Sequence, residues 1–443
     1  MSGMTRRAFV RNGGLSLLAL GMPPAFVTRS VLADTRAAAR GKTLICIFQR
    51  GAVDGLSMVV PFGERAYYAR RGSIAIAAPG RADGAIDLDG FFGLHPALQP
   101  LHDLFTRNEL AIVHAVGSPH PTRSHFDAQD FMESGTPGEK ATRDGWLNRV
   151  LNETECAACA GRTLEDGSAH AVDHAAGQTA MAMVPALRAI AMGPALPRAL
   201  RGSAPALAIE DLGRFGIAGG RDAALEEAFA RVYRSGGDEV IGAAADGAFD
   251  AIAILRAANL SDYRPASGVR YPPGGFGRSL SQIAQLLKAG IPVEIAFADI
   301  GGWDTHQGQG GAQGQLARRL NELSGGIRAL HDDLGDRMND VVILTMSEFG
   351  RTIAENGSGG TDHGHANSMF VLGGGVHGGR ILGEWPGLEA EQLYEGRDLA
   401  LTTDFRDLFG EIVTGHLGAK DLEKVFPGYT RGRERGLIRK ETD

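Results

Sequence analysis

Val341 to Thr345 is an unbroken aliphatic and β-branched run, VVILT, too short for a helix and bounded by polar residues. A segment with no polar face reads as a strand buried on both sides, as in parallel sheets whose two faces are covered. Thr43 to Phe48 (TLICIF), Leu110 to Val116 (LAIVHAV) and Pro292 to Ile300 share the pattern, and Met369 to Leu372 is a shorter apolar run. Apolar residues recur at spacings of three and four across Leu94 to Phe105, Asp222 to Arg234, Val240 to Ala258, Arg278 to Ala289, Gln315 to Leu334 and Phe405 to Leu417, which predicts helices there. Ser124 followed three residues later by Asp127 resembles a capping box and predicts a further helix from His125 to Glu133. Buried strands alternating with amphipathic helices make this an α/β chain. From about 154 to 205 the sequence is rich in Ala and Gly, with little periodicity beyond a short strand near Ile190, and reads as an insertion or subsidiary lobe.

With 443 residues, 43% hydrophobic and 22% charged, the chain has enough apolar surface for a large core. A net charge of -7 gives no basic surface of the kind that nucleic-acid binding requires, so that class is set aside. Residues 1–33 read as a twin-arginine signal: Arg6 and Arg7 precede an apolar stretch from Gly13 to Val27, and Val31, Leu32 and Ala33 supply a small-residue cleavage site. Pro23 and Pro24 break that stretch, which is too short for a membrane span, so no span is expected after processing. Export by this machinery carries chains already folded, often with a metal or cofactor in place. Cys156 and Cys159 form a CxxC with His170 and His174 downstream, a spacing loosely like a zinc site, but the surrounding run lacks a finger's apolar core. A surface insertion with a local disulfide or free thiols is the simpler reading.

Chemistry-bearing residues cluster where the expected strands end. Asp54 follows the first, and Arg123, Ser124 and His125 the second; Asp304 and His306 follow the third, and Glu348, Arg351, Asp362, His363 and His365 the fourth. Parallel strands bring such ends to one sheet edge, the usual place for a ligand in open α/β sheets. Taken singly, each histidine reads as a hydrogen-bonded loop residue, and Asp54 as a turn aspartate before glycine. Taken together they suggest a metal centre, since carboxylate and imidazole donors suit Zn, Mn or Fe and a carboxylate-dominated set suits Mg or Ca. Asp304 and His306, two apart, point to the same side of an extended backbone. Asp54, Asp304, His306, Asp362, His363 and His365 are the candidate ligands of one or two divalent ions (Zn, Mn, Fe or Ca). Ser124, His125, Glu348 and Arg351 are the catalytic candidates. Ser124, with Thr122 as second choice, would be a nucleophile at a helix N-terminus that favours an anion; Arg123 and Arg351 would hold the anion's oxygens. Arg351 reads equally as a salt-bridge partner of Glu348.

The twin-arginine leader with QRGAVDGLSMVVP, TRSHFDAQDFMESG, GWLNR, GGWDTHQGQ, SEFGRTIAENGSGGTDHG and FVLGGGVHGG resembles the bacterial family catalogued as domain of unknown function 1501, over nearly the whole chain after the leader. That family is similar in outline to the alkaline phosphatase and sulfatase superfamily. The resemblance implies a single three-layer α/β domain over 34–443, mainly parallel sheet flanked by helices, with one or two metals at the strand ends. It implies a hydrolase or transferase acting on phosphate or sulfate esters, of small molecules or polymers. In that pattern Asp54 resembles the first strand-end ligand, Ser124 the nucleophile that opens a helix, Asp304 with His306 an Asp and His ligand pair, and Asp362 with His363 the Asp-His pair; His365 is the last histidine ligand or its neighbour. The chain departs from the pattern at Ser347, Glu348 and Phe349, where the superfamily places Asp-His. Two readings are carried forward, an exported metal-dependent ester hydrolase and an exported, non-catalytic binding or assembly protein with the same fold.

Overall fold

The computed structural model describes residues 41–154, 185–215, 239–258 and 260–439. The leader, the Cys156 and Cys159 motif with His170 and His174, and the helix expected over 222–234 lie outside the described residues. Along the chain, β1 (Thr43–Arg50) is followed by α1 (Gly55–Met58), α2 (Arg65–Arg71) and α3 (Gln99–Thr106). Next come β2 (Leu110–Gly117), α4 (His125–Ser134) and α5 (Trp146–Glu153), then the short strands β3 (Ala189–Ala191) and β4 (Leu207–Ala208). The helices α6 (Glu239–Ala257) and α7 (Gly275–Lys288) lead to β5 (Ile295–Gly301), α8 (Gln315–Leu334), β6 (Val341–Met346) and β7 (Asn367–Gly373). Then follow β8 (Arg380–Leu382), β9 (Thr403–Asp404), α9 (Phe405–Gly415) and a last short helix, α10 (Leu422–Val425).

Among the described residues these strands make one nine-stranded sheet in the order β8-β2-β7-β6-β1-β5-β3-β4, with β9 on β2. β1 is parallel to both β5 and β6, whereas β7 is antiparallel to β6 and to β2. Consequently β1, β2, β5 and β6 all point the same way and end at one edge. Alternate side chains of β1 enter opposite cores, as the two-residue period of a strand demands. Ile45 and Ile47 join Leu101, Leu280, Ile283, Leu320 and Ile327 of α3, α7 and α8. Leu44, Cys46 and Phe48 join Trp146 and Val150 of α5 and Phe405 and Phe409 of α9, with the Trp146 and Phe409 rings stacked at 4.7 Å. Helices therefore cover both faces of the sheet, giving the three layers of a mostly parallel α/β fold.

Three local expectations change. The helix expected over Leu94 to Phe105 divides into a 3-10 turn (Pro96–Leu98) and α3, because Pro96 and Pro100 each suit a first turn and not a helix interior. The strand near Ile190 is not part of a separate lobe: β3 pairs in parallel with β5, so the described part of the insertion widens the main sheet. The basic run from Arg431 to Lys440, which reads from its sequence as a solvated surface, is packed on the fold at Leu437 and Ile438. Leu437 is fully buried, its N–H donates to Glu411 of α9 at 2.9 Å, and Ile438 bridges to Val376. No helix among the described residues is long and apolar enough to cross a membrane.

Candidate metal centre at the sheet edge

Gly51, just past β1, has φ 116°, and any side chain there would strike the backbone of Asp304 just past β5. This close approach brings the strand ends together. The Gly51 N–H donates to Glu348 Oε1 at 2.8 Å, and the same oxygen accepts from Gln129 Nε2 at 2.9 Å and lies 2.8 Å from His125 Nδ1. His125 opens α4, so the carboxylate beyond β6 fixes an imidazole that follows β2.

Each of three histidines has its Nδ1 beside an oxygen acceptor and its Nε2 turned toward Asp304. His125 Nδ1 faces Glu348, His363 Nδ1 faces the Arg123 carbonyl at 2.8 Å, and His306 Nδ1 faces Asp362 Oδ1 at 2.9 Å. These acceptors assign the N–H to Nδ1 and leave each neutral ring a lone pair on Nε2. The three Nε2 atoms lie 3.6, 3.2 and 3.0 Å from Asp304 Oδ1, for His125, His363 and His306 respectively. Among the described residues, His125 Nε2 is buried and has no hydrogen-bond partner. His306 Nε2 and His363 Nε2 face one another at 3.0 Å, where two lone pairs repel unless a cation or a proton lies between them. One ligating atom each from His125, Asp304 and His363 lies within 4.8 Å of the others, and His306 touches two of the three. Phe349, itself buried, packs against the His125 and His363 rings at 5.0 Å.

The electrostatics favour a charged carboxylate at Asp304 and a neutral imidazole at His363. Burial raises the Asp304 carboxyl, but the Arg351 guanidinium and the His306 and His363 rings outweigh it and hold the group below its usual range. Burial likewise raises Glu348, and donors from His125, Gln129 and Gly51 bring it below its ordinary value. His363 is lowered, chiefly by burial, so it has one N–H to give and spends it on Arg123. His125 is raised, first by its bond to Glu348. Histidines held through the other ring nitrogen by a carboxylate or carbonyl are the usual way proteins present imidazole to a metal. The orphaned Nε2 of His125 and the opposed pair of His306 and His363 fit that arrangement.

Several expected site residues lie elsewhere. Asp54 does not join the cluster: both its oxygens are engaged by Arg71, with further bonds from Ser57 Oγ at 2.8 Å and Gln309 Nε2 at 2.7 Å, all in a buried pocket. It also accepts the Ser57 N–H, capping α1, which is the turn role that an aspartate before glycine commonly has. His365 stacks on Tyr394 with ring centroids 4.4 Å apart and is outside the cluster. Asp362 orients His306 rather than meeting Asp304's group, and also accepts from Asn356 at 3.1 Å. Arg351 pairs with Asp304 at 2.5 Å, not with Glu348, and its remaining donors go to the carbonyls of Gly51, Ala52, Trp303 and Thr361. Arg123 is turned onto Asp398 and Glu395, both at 2.6 Å. Ser124 occupies the N-cap position of α4 but its side chain makes no cap bond, so the capping box is not formed; Asp127 pairs instead with Lys140 at 2.5 Å. Ser124 is exposed beside His125. Gln129, Arg71 and Gln309 were not singled out from sequence, because nothing local to them announces partners so far along the chain.

The family described as "Protein of unknown function (DUF1501)" matches residues 41–425. The chain belongs to that family. No curated protein matches this DUF1501 chain. Among solved structures it is similar to Ps i-CgsB in complex with k-i-k-neocarrahexaose, at 10% identity over 87% of this chain and 74% of that one, with a TM-score of 0.38. It is similar to the PsFucS1 sulfatase from Pseudoalteromonas sp., at 13% identity over 92% and 76% of the two chains, with a TM-score of 0.35. A third is the lipoteichoic acid synthase LtaP from Listeria monocytogenes, at 8% identity over 79% and 72%, with a TM-score of 0.31. At these scores the likeness is one of outline.

Proposed function

We propose that this DUF1501 chain is a metal-dependent hydrolase of phosphate or sulfate esters, of small molecules or polymers, exported through the twin-arginine machinery to the periplasm or beyond. One observation carries the reading: three imidazole Nε2 atoms converge on Asp304 Oδ1, each ring fixed through its Nδ1, with no hydrogen-bond partner for His125 Nε2 among the described residues. A nitrogen-rich set with one carboxylate supports Zn, Mn or Fe over Ca, which takes six or more oxygens. One ion is favoured over two, because Asp54 is neutralised by Arg71 and the Glu348 oxygen on the His125 side is occupied by N–H donors. His125, Asp304 and His363 would hold it, with His306 beside them. When bound, such an ion polarises an ester oxygen and stabilises a developing anion. Glu348 and Asp362 keep the rings in the ligating tautomer, and Ser124, which precedes His125 and whose hydroxyl makes no cap bond, is the proposed nucleophile.

Elemental analysis of the exported chain, beside a panel of phosphate and sulfate esters, tests this. Stoichiometric metal is expected in wild type and in Ser124→Ala, and its loss in Asp304→Ala and His363→Ala, with turnover absent from all three variants. Folded wild type without metal sinks the reading. The second reading, an exported binding or assembly protein, is favoured by the engagement of Arg123 with Asp398 and Glu395 and of Arg351 with Asp304, which leaves neither committed to a substrate anion. Tight metal retention with no turnover across the panel would select it.

A further inference from the structure

The two loops that carry the centre are joined underneath by a buried polar knot that no role yet explains. Thr305, between Asp304 and His306, donates its hydroxyl to Gln309 Oε1 at 2.8 Å. Thr361, next to Asp362, donates to the same oxygen at 2.8 Å. Gln309 Nε2 donates to Asp54 Oδ2 at 2.7 Å, and the Asp54 carboxylate is locked by Arg71, which reaches on to the Thr352 carbonyl at 3.3 Å. Gln309, Thr361 and Arg71 are fully buried, and Thr305 and Asp54 nearly so. The main chains follow: the Thr361 N–H donates to the Thr305 carbonyl at 3.2 Å, and the Gln309 N–H to the Gly359 carbonyl at 2.8 Å.

The direction of every bond is determined. Asp54 only accepts, so the Gln309 amide must present its NH2 to it and its oxygen to the loops. That oxygen has two lone pairs, and each takes one threonine hydroxyl. Turning the amide over would set its oxygen against the Asp54 carboxylate and its NH2 against both hydroxyls, leaving buried groups unpaired at roughly 1–3 kcal/mol apiece. The ion pair thus fixes an amide, and the amide fixes the separation of Thr305 from Thr361.

We infer that Gln309 is a positioning residue for the metal centre, a latch that sets the spacing of His306 and Asp304 against His363 and is itself oriented by the Asp54–Arg71 pair. The inference rests on the metal-centre reading and extends it from the rings to the buried network beneath them. It gives Asp54 a part in the site without ligation.

Calorimetric titration of the metal-stripped full chain with Zn2+ tests the latch. Gln309→Met, of similar size but without the amide, is expected to bind Zn2+ roughly ten- to hundred-fold more weakly, as when outer-shell partners of metal ligands are lost. Thr305→Val and Thr361→Val should each weaken binding several-fold, and Thr305→Ser and Thr361→Ser should restore it, since only the hydroxyl matters. Ser324→Ala, which removes another buried hydroxyl, on α8 and bonded to the Ala97 carbonyl, should leave affinity unchanged and controls for general loosening. Wild-type affinity in Gln309→Met, or equal affinity in the Val and Ser variants, overturns the latch while the metal centre stands. If Gln309→Met does not fold, the comparison of Val with Ser decides. Wild type that takes up none of Zn2+, Mn2+ and Fe2+ overturns both readings together.

Discussion

Replacing Arg71 with Met removes the counter-ion of a carboxylate that is 1% exposed. What remains around Asp54 is the Ser57 hydroxyl, the Ser57 N–H and the Gln309 amide, none of them charged. Stranding one partner of a buried pair costs about 3–5 kcal/mol, and Asp54→Asn, which keeps the helix cap but strands the guanidinium, should cost as much. In the double variant both charges leave together, so the expected loss is only about 1–3 kcal/mol for the lost hydrogen bonds. The cycle should therefore show a coupling of about 3 kcal/mol or more. Urea unfolding of metal-stripped protein, followed by the fluorescence of the buried Trp146 and Trp303, measures each corner, and elemental analysis of the untreated proteins runs beside it. Additive losses would show that the pair is not coupled. An Asp54→Asn protein of nearly wild-type stability that is empty of metal would return Asp54 to the ligand role that its position after β1 suggests.

Three further outcomes are expected. Glu348→Gln withdraws the charge behind His125 and should lower Zn2+ affinity about ten- to hundred-fold in a competition titration, with little change in fold by circular dichroism. Gly360→Ala should also weaken metal binding, because its Cβ would press on the backbone of Thr305 and His306 and separate the two loops; an unchanged affinity would mean the loops yield without disturbing the rings. His114 in β2 is buried between Phe92 and Trp385, with neither ring nitrogen bonded among the described residues, and burial pulls it from 6.5 to about 3. A depressed histidine contributes stability that is whole above its unfolded value and is lost as pH falls through 6.5 toward 3. The full span of that contribution is up to about 5 kcal/mol. His114→Phe should flatten the stability profile across that window, which urea midpoints at several pH values would read.

Much of this architecture was legible because its signals are local. Continuous apolar runs such as VVILT and TLICIF specify strands covered on both faces, and the helix over Gln315 to Leu334 follows from its periodicity alone. The edge where the site would lie followed from strand direction, and Asp304, His306 and His363 are brought together there. What escaped was partnership at a distance. Asp54 looks like a strand-end ligand until Arg71 is seen to take it, and no local pattern links those two residues. Arg351 sits beside Glu348 in sequence yet its guanidinium reaches Asp304, because the β6 end lies next to β1 and β1 next to β5. His125 was marked as catalytic; its place among the rings depends on Glu348 arriving from the other side of β7. The strand near Ile190 was visible, but not that it would find β5, since a three-residue strand carries no register of its own.

The order of the chain also dictates when the centre can exist during synthesis. Its ligating atoms come from positions 125, 304 and 363, and β7, whose pairing with β6 closes the last loop, is made only after all of them. No fragment emerging early holds more than one of these side chains near its eventual neighbours. On the proposed metal-centre reading, an ion therefore has nothing to recognise until the sheet is complete, and loading would be the final step of maturation. On the proposed reading, such a chain would meet its metal in whichever compartment it finishes folding, and under the proposed twin-arginine export that is the side it departs from.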